Sequence, residues 1–169
     1  MIRRATTLHN TPSSMSIAVR KAVRADIPTM VDMQIAMAKE TENLDLDRAV
    51  LTRGMTIPFE KPNVADYYVA YDTDPTRVVG MLMTTQEWSD WRAASILWIQ
   101  SVFIAKDYRR KGVYTAMYQY LKKMVEDSEY YGGIRLYVET ENKRAQGTYT
   151  KMGMEKEHYY MMKWMKSHF

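Results

Sequence analysis

The sequence predicts a mixed α/β fold, a partly antiparallel central sheet flanked by helices on both faces, and three observations predict it. Segments of strand-like and helix-like periodicity follow one another in the order β, α, α, β, β, β, α, β, α, β, a mixed order that suits helices layered on a sheet of both strand directions. One segment, "SILWIQSVFI" at 95–104, is long and almost continuously apolar, as expected of a central strand covered on both faces. At 169 residues, nearly half apolar and a quarter charged, the chain has the size and balance of one globular domain.

Ile17, Val19 and Lys21 alternate with their neighbours and lead through Val23, a first strand with one buried face. Asp26 is placed as the N-cap of the first helix, and Pro28 is tolerated in its opening turn because no intrahelical donor is needed there. Ile27, Met30, Val31, Ile35 and Ala38 recur at helical spacing and carry that helix to about Thr41. A shorter helix begins at "LDRAVLTRG", capped by Asp47 and stopped at Gly54. "DYYVAYD", the turn "TDPT" and "RVVGMLMTTQ" read as strand, turn and strand, rich in residues that fit a pleated surface. The polar loop "EWSDWRAA" then leads into the central run. Beyond it, Val113, Ala116, Met117, Tyr120, Leu121 and Met124 form a helical stripe that "YYGG" ends. "IRLYVE" is a fifth strand, "NKRAQGTYTKMG" a helix stopped at Gly153, and "HYYMMKWM" a last strand.

The net charge of +4 comes from one end of the chain. Residues 1–25 hold Arg3, Arg4, Arg20, Lys21 and Arg24 and no acid, leaving 19 cations against 20 acids in the rest. That near-neutral body argues against a nucleic-acid partner. No apolar stretch approaches the roughly 18–20 residues of a bilayer span, so no membrane partner is expected either. The absence of cysteine removes disulfides, thiol nucleophiles and thiolate metal sites, and suits a reducing, cytoplasmic setting. His9, His158 and His168 are too scattered for zinc-ligand spacing, so no metal is expected. Two readings fit the acid-free start "MIRRATTLHNTPSSMS": an organellar transit peptide, or a flexible basic leader over residues 1–15 with Met15 as an alternative initiator. A single domain is expected over residues 16–169.

The stretch "YRRKGVYTAMYQYL" places Arg109, Arg110, Lys111 and Gly112 directly in front of a helix. Cations oppose the helix dipole at that end, so they call for a reason. A polyphosphate supplies one, because the first backbone N–H groups of a helix, here from Arg110 through Val113 and Tyr114 to Thr115, are natural anion donors. Gly112 leaves space for a ligand to approach the backbone. The bland alternative is a solvated basic loop. The spacing matches neither a Walker loop nor a dinucleotide fingerprint.

The stretch does resemble the acetyl-CoA pyrophosphate loop of the GNAT family of N-acetyltransferases, whose pattern [QR]-x-x-G-x-[GA] falls on Arg109, Gly112 and Tyr114. Tyr114 stands where the family has glycine or alanine. A second segment, "LYVETENKRAQGTYTKMGM", resembles the family's later strand, asparagine and tyrosine-bearing helix. Asn142 and Tyr149 lie two helical turns apart, on one face. The resemblance implies a GNAT-like acyl-CoA acyltransferase fold, with acetyl-CoA as co-substrate. It implies that Asn142 contacts CoA and that the Tyr149 phenol, of pKa about 10, protonates the departing thiolate. It also implies that the backbone of Val102, Phe103 and Ile104 pairs with the pantetheine arm. The acceptor implied is a small-molecule primary amine, acetylated directly in a ternary complex, and the family's frequent dimers make a homodimer an expectation.

One role in the family pattern is unfilled. Relatives place a glutamate or histidine base on the fourth strand, where this chain has Trp98 and Gln100. Glu87 and Asp90, beside Trp88 and Trp91, are the candidate bases, since desolvation by the tryptophans would raise a carboxyl pKa; a solvated loop is the alternative. The acidic run with Glu40, Glu42, Asp45 and Asp47 would favour a cationic acceptor if it lines the acceptor site, and is otherwise a solvated face. The missing base also supports a non-catalytic CoA-binding or sensing module of the same fold.

Overall fold

Five strands, β1 (Ala18–Lys21), β2 (Asp66–Tyr71), β3 (Val78–Ser89), β4 (Ala94–Ile104) and β5 (Tyr131–Leu136), form one sheet in that spatial order. The first three pairings are antiparallel and β4–β5 is parallel, the mixed sheet that the sequence predicts. These coordinates are a computed structural model that describes residues 16–166. The proposed leader over residues 1–15 lies outside the described residues. The chain divides into two units, one ending at Leu136 and one beginning at Tyr137.

In the first unit, alternation along β2 sends Tyr67 and Val69 to one face and Tyr68 and Ala70 to the other. On one face, Met30 and Val31 of α1 (Ile27–Glu42) and Met55 of α2 (Arg48–Glu60) join Tyr67, Val69, Met81 and Phe103 in a buried cluster. On the other lies α3 (Val113–Glu126), which buries Val113, Met117, Tyr118 and Leu121. There the Tyr68 ring meets Tyr120 at 5.7 Å and its hydroxyl reaches the Met124 sulfur. The buried side chains among these, such as Met30, Val69, Met117 and Leu121, each contribute about 1.5–3 kcal/mol relative to exposure. The α3 stripe is rotated from the expected one: Tyr118 is buried and Tyr120 is 38% exposed.

Several local expectations give way to tertiary demands. Asp26 precedes α1 but does not cap it. Its carboxylate is 7% exposed and accepts from Arg20 at 2.7 and 2.8 Å and from the Val23 N–H at 2.8 Å. Burial alone would raise the Asp26 carboxyl; the Arg20 guanidinium and the Val23 N–H more than offset it, so the pKa lies below its ordinary value. A depressed folded-state pKa stabilises above the unfolded value of about 3.9 and is lost as pH falls through the folded one. Acid unfolding should therefore steepen below pH 4. Asp26→Asn should cost about 2 kcal/mol at pH 7 and flatten that acid limb, as read from thermal melts between pH 7 and 2.

Asp47 caps α2 as expected, accepting from the Val50 N–H at 2.9 Å. Gly54, however, does not stop α2, which runs on to Glu60 because Leu51, Met55 and Phe59 continue the apolar face into the core. A Cβ at Gly54 would meet nothing within 4 Å. Gly54→Ala should accordingly raise stability by about 1 kcal/mol, seen as a higher melting temperature.

β3 extends through Glu87 to Ser89, shortening the expected polar loop to a turn in which Ala93 takes a φ of 47°. β5 begins at Tyr131 and includes Gly132 and Gly133, which the sequence placed at the helix end. The parallel partner β4 explains this, since a Cβ on Gly132 would lie 3.0 Å from the Ala94 Cβ. The expected last strand is absent: residues 154–166 form no ladder among the described residues. Apolar composition does not make a strand without a partner edge.

The second unit holds α4 (Lys143–Lys151). Gly153, at φ 87°, ends it as expected. The Gly153 N–H donates to Thr150 and the Met154 N–H to Tyr149, both at 3.0 Å, which closes the final turn as a glycine-terminated cap does.

Candidate functional site

The site begins where β4 changes neighbours. Met83 faces Ser101 but Thr84 faces Ile99, so Gln100 is an extra residue in β4. Its amide donates to the Thr85 hydroxyl at 2.8 Å. Parallel pairing with β5 reaches only Ile99 opposite Leu136. Among the described residues, 101–104 are thus paired on the β3 side alone. The Ala105 N–H donates to the Val79 carbonyl at 2.9 Å and sets the phase of that ladder. By alternation, Ser101 and Phe103 direct their backbone groups at β3, while Val102 and Ile104 direct theirs at the open edge. The Phe103 side chain belongs to the core, and the Ile104 carbonyl accepts from Arg109 Nε at 3.0 Å. Of the three residues expected to offer backbone to a ligand, Val102 and Ile104 have the right orientation.

After a tight turn at Lys106–Tyr108, the chain passes through two left-handed residues, Arg110 at φ 64° and Gly112 at φ 79°, and enters α3. No side chain caps α3. Its first N–H groups, at Val113, Tyr114 and Thr115, lie beyond the reach of any helical carbonyl. A Cβ on Gly112 would meet nothing within 4 Å, so the backbone is open to approach at the residue just before those donors. These features fit an anion cradle. The Tyr114 ring lies along the helix against Tyr118, at 6.3 Å, which is how a large side chain is accommodated at a position of small residues.

The three cations of the loop are not equivalent. Arg110 and Lys111 are exposed, with the Lys111 ammonium 5.3 Å from the centre of the Tyr108 ring. Arg109 reaches across to α1, where at the surface it meets both carboxylate oxygens of Glu40, and it lies over Phe103 at 5.6 Å. Its guanidinium holds the Glu40 carboxyl below the ordinary range. The acidic run is largely spent in the same way: Asp45 pairs with Lys39 and Asp47 caps α2.

Neither candidate base sits in the surroundings expected of it. Glu87 lies within β3, accepting from the Trp98 indole and from Arg135 at 2.9 Å, with Arg135 also over the Trp98 ring at 5.9 Å. Asp90 is exposed in the β3–β4 turn and accepts from the Trp91 N–H. Trp88 is 61% and Trp91 89% exposed, so the apolar walls expected around the two carboxylates are missing. The sequence reading did not foresee the Glu87–Trp98–Arg135 cluster, because only the β4–β5 register brings Arg135 opposite Trp98.

In the second unit, Asn142 Oδ1 accepts from the Ala145 N–H at 3.0 Å and caps α4. Tyr149 lies two turns on, half-buried. Among the described residues there is no group of three or more His, Asp or Glu side chains placed to hold a metal ion. No helix there is long and apolar enough to cross a membrane.

Comparison with known proteins fits this geometry. The model of the GNAT acetyltransferase family matches residues 32–154. A solved structure described as a possible acetyltransferase from Clostridium difficile 630 is 39% identical; the match covers 90% of this chain and 99% of that one, with a TM-score of 0.82. The chain belongs to the GNAT acetyltransferase family. The aminoglycoside N-acetyltransferase AAC(6')-Iy, solved with CoA, shares the fold at 9% identity, covering 93% of this chain and 99% of that one, with a TM-score of 0.73. A Trypanosoma brucei acetyltransferase does so at 15% identity, covering 89% and 100%, with a TM-score of 0.67. No curated protein matches by sequence.

Proposed function

We propose that the protein transfers an acetyl group from acetyl-CoA to the primary amine of a small molecule, directly and in a ternary complex. The observation that carries this reading is the continuity of two features in 14 residues: the open β4 edge at Val102 and Ile104, and the left-handed turn that leads into the uncapped start of α3. An extended amide-bearing arm ending in a pyrophosphate is the ligand shape that such an edge and cradle complement.

In this reading the amine attacks the thioester carbonyl carbon. The Val102 N–H donates to the oxygen as negative charge develops there. The C–S bond then breaks, the Tyr149 hydroxyl gives its proton to the thiolate, and the second proton, shed by the nitrogen of the new amide, returns through water to the phenolate. Asn142 has its carbonyl oxygen engaged in the cap, so its amide nitrogen is what it offers CoA. The ammonium proton of the acceptor leaves to water, since both oxygens of Glu87 are engaged. The aminoglycoside-modifying relative supports a small polyamine-like acceptor, although little of the acidic run is left to attract one.

The commitment of Glu87 favours the second reading, a CoA-binding module without turnover. One assay separates them. Acetyl-CoA is incubated with the protein and a panel of polyamines, aminoglycosides, amino acids and peptides, and free thiol is followed. Amine-dependent thiol release supports the enzyme. Tight CoA binding with no release from any amine supports the module.

A further inference from the structure

The loop that leads into α3 is tied to the rest of the first unit by side chains that the proposed chemistry does not use. Asp72 closes β2 and is 6% exposed, so its carboxylate needs partners. It has three: the Arg77 guanidinium, the Asp74 N–H at 3.3 Å, and the Tyr108 hydroxyl at 2.6 Å. The Tyr108 oxygen in turn accepts from Arg77 at 2.7 Å, so the phenol both donates and accepts. Asp72, Asp74 and Arg77 all belong to the β2–β3 turn and would hold that turn without help. Tyr108 is the one partner that comes from the loop.

Tyr108 stands two residues before Arg110, whose left-handed backbone is unfavourable for a residue with a side chain. Such conformations persist only where the surroundings over-determine them. Downstream of Arg110 the chain is fixed by the burial of Val113 and Met117. Upstream it is fixed by Tyr108 on the β2–β3 turn and by Arg109 on Glu40 of α1 and the Ile104 carbonyl.

We propose that Tyr108, held by Asp72 and Arg77, is a positioning residue that keeps the Arg110–Gly112 turn and the α3 N-terminus in their anion-accepting shape before any ligand arrives, with the Arg109–Glu40 pair as its second anchor. The proposal rests on the reading of this loop as the CoA pyrophosphate seat, and it adds where the preorganisation comes from. A loop that visits its competent shape for a fraction of the time binds more weakly by that fraction.

The test compares wild type with Tyr108→Phe by amide hydrogen exchange of the ligand-free protein, by CoA titration, and by steady-state kinetics. The expected result is exchange at the bonded amides of Tyr108, Arg109 and Ala116, which donate to Ala105, Lys106 and Gly112, faster by about tenfold, with the β2 and β3 amides unchanged. CoA dissociation constant and KM for acetyl-CoA should rise by about tenfold, and turnover at saturation should hold. Unchanged loop exchange overturns the proposal, and so does exchange that rises equally in loop and sheet, which marks a general structural role. If Tyr108→Phe fails to fold, Glu40→Gln provides the second variant, with the same local loosening expected and the same two overturning outcomes. A wild-type protein that does not bind CoA, in which Tyr108→Phe still frees the loop, defeats the CoA reading and leaves the positioning role standing.

Discussion

Gly112→Val is expected to weaken CoA binding by about 100-fold or more while leaving the protein folded. Two effects combine. The native φ of 79° is open to glycine but costs a residue with a Cβ about 1–2 kcal/mol, and a β-branched one more. The added side chain also fills open space at the residue just before the α3 donors, beside the proposed phosphate seat, so a loop that relaxes to suit valine moves those donors. Nothing within 4 Å would clash with the new Cβ, so the core is not disturbed and the melting temperature should fall only modestly. Calorimetric titration with CoA, beside circular dichroism of the same sample, checks both halves. Binding at wild-type affinity would remove the loop from the proposed site.

Tyr149→Phe should lower turnover by about 100-fold with CoA affinity almost unchanged. The substitution keeps the ring and deletes the hydroxyl proposed to protonate the leaving thiolate, and general acids contribute about 10²–10⁴-fold. An interaction made only as the C–S bond breaks affects kcat and kcat/KM together and leaves ground-state binding alone. The measurement is steady-state thiol release with a reactive amine, set against CoA binding by titration. A loss of binding that matches the loss of rate would assign Tyr149 to packing. A full rate in the variant would give the proton to another donor or to water.

The parts of this protein that sequence makes legible are those that local chemistry decides. The apolar alternation of β2, the run that becomes β4, the Asp47 cap, the Gly153 stop and the cation–glycine sequence before α3 all express preferences that act within a few residues. Where such preferences compete with a partner far along the chain, the partner prevails. Asp26 looks like an N-cap, but burial beside Arg20 takes its oxygens. Gly54 looks like a stop, but Met55 and Phe59 still have a core to fill. Gly132 and Gly133 look like a helix terminus, but both lie in β5, where Gly132 lets that strand approach Ala94 of β4.

The candidate site divides along the same line. Arg109 and Gly112 could be placed before a helix start from local sequence, because such a start needs only a short stretch of chain, whereas the roles expected of Asn142 and Tyr149 came from the family resemblance. The fate of each charge was not readable. Arg109 pairs with Glu40, Glu87 is taken up by Trp98 and Arg135, and Tyr108 docks on Asp72, and each of these pairings joins residues distant in sequence. The sequence by itself determined the fold class and the position of the helix start proposed as an anion seat, since both follow from periodicity and from backbone preferences. Only the tertiary structure decided which of the many charged side chains are occupied in holding that seat, because a carboxylate or guanidinium takes whichever partner the packed chain brings within hydrogen-bonding distance.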